Sequence, residues 1–160
     1  MKNPLRERAL RLLARREHSR VELSRKLAPH AESEDELEKL LDDLSERLLL
    51  SDERYTEMRI NARQARFGNT RLAYELKTQG VAEDLVASAL ASCPTELARA
   101  REVWQRKFGD RATFTTPAHE AAAFDRQENA RQMRFLLSRG FSSETIRGVM
   151  RAARADFEDD

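Results

Sequence analysis

Residues 66–81 read RFGNTRLAYELKTQGV, a basic, helix-like run that opens on Gly68 and closes on Gly80 with no side chain suited to covalent chemistry. Two glycines around so many charges act as punctuation, because Gly ends helices without the Cβ penalty of the left-handed conformation. Upstream, Ser51 with Asp52 and Glu53 makes a capped, dipole-compensated helix start, followed by Tyr55, Met58, Ala62 and Ala65 on one face. Gly68 then ends that helix, residues 69–79 form another, Gly80 ends it, and Glu83 to Leu90 make a short third.

The same register recurs along the chain. Taking Ala31, Gly80 and Gly140 as anchors, Leu27, Leu76 and Leu136 stand four residues before, and Leu37, Val86 and Ile146 six after. Nine after stand Leu40, Ala89 and Val149, and ten after stand Leu41, Leu90 and Met150. The anchors are 49 and then 60 residues apart, and the excess falls in GDRATFTTPA at 109–118, whose composition marks a loop, with Pro117 suited to the start of the next helix. Self-similarity of this kind predicts an all-α fold of three tandem three-helix repeats, at 1–50, 51–93 and 94–155, with an acidic tail at 156–160. Three short helices bury little apolar surface, so neighbouring copies are expected to share it in an elongated, curved, right-angled or solenoid-like array.

In the first copy Leu5, Ala9, Leu12 and Leu13 line one helical face, with Arg8, Arg11 and Arg15 on another. Ser19 precedes Glu22 by three residues, a capping-box pattern, and that second helix should run to about Ala28, just before Pro29. Ser33 and Glu36 repeat the device before a third helix with Leu37, Leu40, Leu41 and Leu44 on its apolar side.

Composition agrees with long, solvent-laced helices: 36% of the 160 residues are charged, 40% hydrophobic and 6% aromatic, with five Gly and four Pro. The net charge of +1 excludes a polycation, yet charge is segregated. Lys2 to Lys26 holds nine basic and three acidic residues, whereas Glu32 to Glu46 holds eight acidic residues and Lys39. The single cysteine, Cys93, allows no internal disulfide and is expected as a small buried hydrophobe. Arginines interrupt the N-terminal stretch too often for a signal peptide or membrane span, which predicts a cytoplasmic protein.

Catalysis has little to stand on. His18, His30 and His119 lack metal-ligand spacing and are expected at the surface. No GxxxxGK, GxGxxG or GxSxG motif occurs, and the carboxylates of the acidic run lie on an exposed face with no reason for shifted pKa values. We expect no enzyme, metal or cofactor.

The arginines carry more information. Arg59, Arg63 and Arg66 fall at i, i+4, i+7, opposite Tyr55, Met58 and Ala62; Arg71 and Lys77 continue the positive edge. Arg147, Arg151 and Arg154 repeat the line opposite Ile146, Val149, Met150 and Ala153, and Arg131 and Arg134 join the candidate partner-binding set. Guanidinium forks bind phosphate or carboxylate, although an amphipathic helix also shows such rows as a plain solvated face. Units such as SRVELSRKL also suggest a helix-turn-helix reader, but no dimerising element accompanies them, so a monomer is expected.

The ordered set SR.EL..KL, SDERY, FGN.RL.YELK..GV and FLL.RGFS.E.I..V, spread from Leu5 to Ala155, resembles the bacterial RecX family of regulatory proteins. The resemblance implies three tandem three-helix repeats that bind the RecA recombinase and its filament on single-stranded DNA, lodge in the filament groove and suppress ATPase and strand exchange. Two departures stand out: Pro29, His30 and Ala31 replace the helix-ending Gly of the other copies, and Leu48 stands where a Gly often precedes LLSDER. The resemblance supplies no catalytic residue.

Overall fold

The computed structural model describes residues 3–109 and 118–158, and the side chains of 118–124 and 155–158 are not described. The expected insertion, apart from Gly109 and Ala118, lies outside the described residues, together with Pro117, the His119 side chain, Asp159 and Asp160. Helices α1 (Pro4–Arg15), α2 (Arg20–Leu27), α3 (Glu34–Glu46), α4 (Asp52–Arg63), α5 (Asn69–Thr78), α6 (Glu83–Ala91), α7 (Glu96–Phe108), α8 (Ala118–Ser138) and α9 (Ser143–Glu158) follow one another, with a 3-10 turn at Ala28–His30. Among the described residues there is no strand. Helix α9 continues to Glu158, into the stretch expected as an acidic tail.

The chain divides into two compact units, Met1–Ala62 with Tyr74–Leu90, and Arg63–Ala73 with Ala91–Asp160. In the first, α1 packs on α2 and α2 on α3, and Leu5, Ala9, Leu23, Leu27, Leu37, Leu40, Leu41, Leu44 and Leu50 form one buried cluster. The caps behave as the sequence predicts in part. Ser19 Oγ accepts from the Glu22 amide at 3.0 Å and also donates to the Gln79 carbonyl at 2.7 Å, while Asp52 accepts from the Arg20 amide at 2.7 Å. The Glu22 carboxylate does not complete the box; it pairs with Arg16 and Lys26.

Segregated charge has an internal use. The acidic face of α3 pairs with the basic first helices, Glu38 and Asp42 with Arg20 at 2.8 and 2.7 Å and Asp43 with Arg6, and Asp43 also pairs locally with Arg47 at the end of α3. At Asp43 the expectation of an unshifted carboxylate fails, since hydrogen bonds from Arg47 and Arg6 hold its carboxyl below the ordinary value.

The repeat register has a backbone cause. At the end of α5, Gly80 N–H donates to the Lys77 carbonyl and Val81 N–H to Leu76; at the end of α8, Gly140 N–H donates to Leu137 and Phe141 N–H to Leu136. This is the Schellman pattern, in which a left-handed residue redirects the chain and the next apolar residue folds onto the last turn. Gly80 and Gly140 have φ of +75° and +81°, and Val81 and Phe141 are buried. The same pattern closes α3, with Leu48 N–H on Ser45 and Leu49 N–H on Leu44, but there the left-handed residue is Leu48 at φ +59°. Ala31, the anchor of the first copy, is extended at φ −83° and follows the 3-10 turn instead.

In the second unit α7 and α8 pack against α9. Ala100, Val103, Leu136, Phe141, Ile146, Val149 and Met150 form its core, with Leu97, Trp104 and Phe135 packed against it. Of the register positions all are buried except Ala89 and Leu90, which are half-buried.

Several expectations need correction. Helix α4 buries Tyr55, Thr56 and Ile60 rather than a Tyr55–Met58–Ala62–Ala65 face; Ala62 and Ala65 are exposed. It ends at Arg63, and Gly68 is not a left-handed helix stop: a Cβ there would collide with the Gly140 carbonyl and the Phe141 backbone. Cys93 is half-buried rather than buried. His18 is buried, not at the surface; Nδ1–H donates to the Arg16 carbonyl at 3.0 Å and Nε2 accepts from Lys26 Nζ at 3.1 Å.

Candidate interaction surface

The arginines separate into distinct environments. Arg59, in the first unit, is half-buried and pairs with Glu75 at 3.5 Å; Lys77, also in the first unit, pairs with Glu83. Arg66 lies in the turn after α4, so the expected Arg59–Arg63–Arg66 helix line does not exist. The physical reason is that the α4 ladder stops at Arg63, whose carbonyl accepts from both Arg66 and Phe67.

In the second unit that turn gathers charge. The guanidinium carbons of Arg63, Arg66, Arg71 and Arg139 lie 4.4, 5.6, 4.3 and 5.5 Å from the Phe67 ring centroid. Stacking on a ring suits the planar, weakly hydrated guanidinium, and it leaves Phe67 only 6% exposed. Beneath the turn sits Arg99, a buried cation on α7. It donates to the carbonyls of Pro94, Gln64 and Phe67 at 3.2, 3.1 and 2.8 Å and to the Asn69 side chain. Arg106 donates to the Ala65 carbonyl.

The start of α5 is bound into the same unit. Its Asn69 amide donates to Glu96 at 2.7 Å and its Thr70 amide to the Gly140 carbonyl at 3.2 Å. Burial by itself would raise the Glu96 carboxyl, but hydrogen bonds from Thr145, the Asn69 amide and Ser142 outweigh it and hold the group below its ordinary value.

The remaining candidates lie on α8 and α9. Arg147, Arg151 and Arg154 are exposed along α9, and Ile146, Val149, Met150 and Ala153 are buried on its opposite side. Arg131 and Arg134 are exposed on α8; Arg131 pairs with Glu128 at 3.3 Å and lies 5.8 Å from the Phe108 ring. Sequence reasoning missed Arg99, Arg139 and Glu96. A signal existed for two of them: Glu96, Arg99, Ala100 and Val103 share one helical face, so a charged pair interrupts an apolar stripe.

A helix-turn-helix reader would need polar side chains offered at the start of a recognition helix. On α2 the Arg20 guanidinium is held by Glu38 and Asp42, and Glu22 by Arg16 and Lys26. Among the described residues no group of three or more His, Cys, Asp or Glu could hold a metal, and no helix is long and apolar enough to cross a membrane.

Fold and surface together define a tandem three-helix-repeat protein whose exposed chemistry is arginine. The family models for the first, second and third three-helix domains of RecX match residues 6–44, 51–90 and 95–150. Curated relatives include a regulatory protein RecX from Leptothrix cholodnii, 48% identical over 98% of this chain and 93% of its own, and one from Herminiimonas arsenicoxydans, 47% identical over 92% and 91%. The crystal structure of RecX from Lactobacillus salivarius shares the fold at a TM-score of 0.76 and 18% identity, covering 92% of this chain and 93% of that one. The chain belongs to the RecX family of regulatory proteins.

Proposed function

We propose that the chain binds the RecA recombinase and its filament on single-stranded DNA, lodges in the filament groove as a monomer, and inhibits ATPase and strand exchange. The observation that carries this reading is the α9 row, Arg147, Arg151 and Arg154, exposed directly opposite core residues on a chain whose net charge is only +1. Such a row is a local feature suited to an acidic protein surface or to phosphates, on a molecule without the overall charge of a general nucleic-acid binder. Family membership supports a regulatory role, and binding by surface occupation needs no reacting group.

The test is recombinase ATPase on single-stranded DNA, titrated with this protein at two salt concentrations beside a binding control with DNA alone. Inhibition should reach completion at protein concentrations that leave naked DNA largely free. Inhibition that merely tracks occupancy of naked DNA, and weakens with salt in parallel, would replace this reading with that of a helical module acting directly on nucleic acid.

A further inference from the structure

Helix α8 carries apolar side chains on two sides, and the core uses one of them. Leu136 is buried in the core of the second unit and Phe135 packs against it, as a single apolar stripe requires. At about 100° per residue, Ala130, Met133 and Leu137 fall in a different row, on the side of the helix turned away from that core. Met133 is 42% and Leu137 59% exposed, with Ala130 half-buried. Single exposed apolar side chains are ordinary, but three at i, i+3 and i+7 make a continuous strip, with the spacing by which one helix lies against another.

The charges beside the strip are arranged around it. Arg126 continues the row one turn before Ala130, and Arg134 flanks Met133 and Leu137; both arginines are exposed. Asp125 falls on the flank away from Arg134, and Glu128 is engaged by Arg131 and Gln132.

We infer that this row is a docking strip for an amphipathic helix of a protein partner. That helix is apolar along its own seam and acidic on the flank that meets Arg134 and at the end that meets Arg126. The inference deepens the proposed function: the chemistry of the partner helix follows from α8, and only its assignment to the recombinase rests on that reading.

Three features select this occupant. Protein interfaces are enriched in Met and Arg, and the unbranched thioether of Met133 adapts to the surface it meets. A nucleic-acid strand would gain little from the strip, whose centre offers neither a cation for phosphate nor an aromatic face for a base. A second copy of this chain is opposed by charge. In an antiparallel two-fold pair each flank meets the same flank of the other molecule, so Arg134 would stand against its own counterpart.

The experiment uses the full chain and two synthetic helical peptides that carry leucine at i, i+3 and i+7, one flanked by glutamate and the other by lysine. Binding is read by fluorescence anisotropy. Wild type should prefer the glutamate peptide by at least about tenfold. Met133→Gln with Leu137→Gln, both at exposed positions, should keep the wild-type thermal melt and lose at least about tenfold in affinity for the glutamate peptide. Arg134→Glu should narrow or invert the preference between the peptides, a change that loss of folding does not produce.

Wild type that ignores the glutamate peptide, a folded glutamine pair with unchanged affinity for it, or an equal response to both peptides overturns the inference. So does a wild-type dimer in sedimentation that the glutamine pair dissolves, which would assign the strip to a second copy, and so does oligothymidine binding that the same pair abolishes. Recombinase ATPase run in parallel separates the inference from the proposed function. Peptide binding lost in the glutamine pair, with a wild type that leaves ATPase untouched, supports the docking strip and sinks only the recombinase reading. Inhibition by a wild type that ignores the peptide does the reverse.

Discussion

Leu48 holds a φ of +59° with its side chain 73% exposed, so the residue meets the steric cost of the left-handed region and recovers little by burial. Gly80 and Gly140 meet the same backbone demand without a Cβ, and at both a Cβ would also strike a neighbour, Val21 and Arg71 respectively. Leu48→Gly should therefore stabilise the protein by about 1 kcal/mol, the left-handed penalty less the extra freedom of Gly in the unfolded chain. Urea unfolding measures it, and a less stable variant would mean that Leu48 packs in a way its exposure does not show. His18 makes a second prediction. Burial lowers its pKa from the ordinary 6.5, with the Arg16 carbonyl opposing that shift. The unfolded chain then takes up a proton before the folded one, so stability is complete above pH ~6.5 and falls as pH drops through that value toward the folded pKa. Thermal melts between pH 7.5 and 5.5 should show this slope, and His18→Gln should flatten it.

At the scale of the helix, α2 and α5 each carry a side chain whose contribution to stability can be measured. The Glu22 carboxyl is lowered to about 2, first by the hydrogen bond from Arg16, against burial, with help from Lys26. Its contribution is present above the unfolded value near 4.5 and is lost as pH falls toward about 2, a second acid transition below that of His18. On α5, Leu76 is 2% exposed and its carbonyl accepts the Val81 amide of the Schellman turn. Leu76→Ala should cost about 2–5 kcal/mol, as truncation of a packed leucine does. A change indistinguishable from zero in chemical denaturation would remove Leu76 from the core. Most helix boundaries and the caps at Ser19 and Ser33 were legible in the sequence because they depend on residues within four or five positions of each other, whereas the end of α4 at Arg63 was not. The face of α4 was not, because Tyr55, Ile60, Arg59 and Arg63 differ in burial through neighbours that no local pattern names.

At the scale of the whole chain, the arginine rows differ in what a charge change would do. Reversal of Arg59, Arg63 and Arg66 would strike the Glu75 pair and the Phe67 stack, so it perturbs folding as well as binding. The exposed α9 row gives the cleaner test. Arg147→Glu, Arg151→Glu and Arg154→Glu should each alter stability by no more than about 0.5 kcal/mol. Together they should weaken inhibition of DNA-dependent recombinase ATPase, and full inhibition by the folded triple variant would remove α9 from the partner surface.

The sequence by itself determined the all-α class, the caps at Ser19 and Ser33, the glycines at the ends of α5 and α8, and the leucine-rich register, because each arises from hydrogen bonds or periodicity within about two helical turns. Tertiary structure decided which charges are spent inside the molecule. Arg99 reaches Phe67 across 32 positions and Arg71 reaches Ser138 across 67. Arg20 is neutralised by α3, His18 is buried against Lys26, and four arginines converge on one ring. Such pairings depend on distances through space, and spacing along the chain carries no information about them.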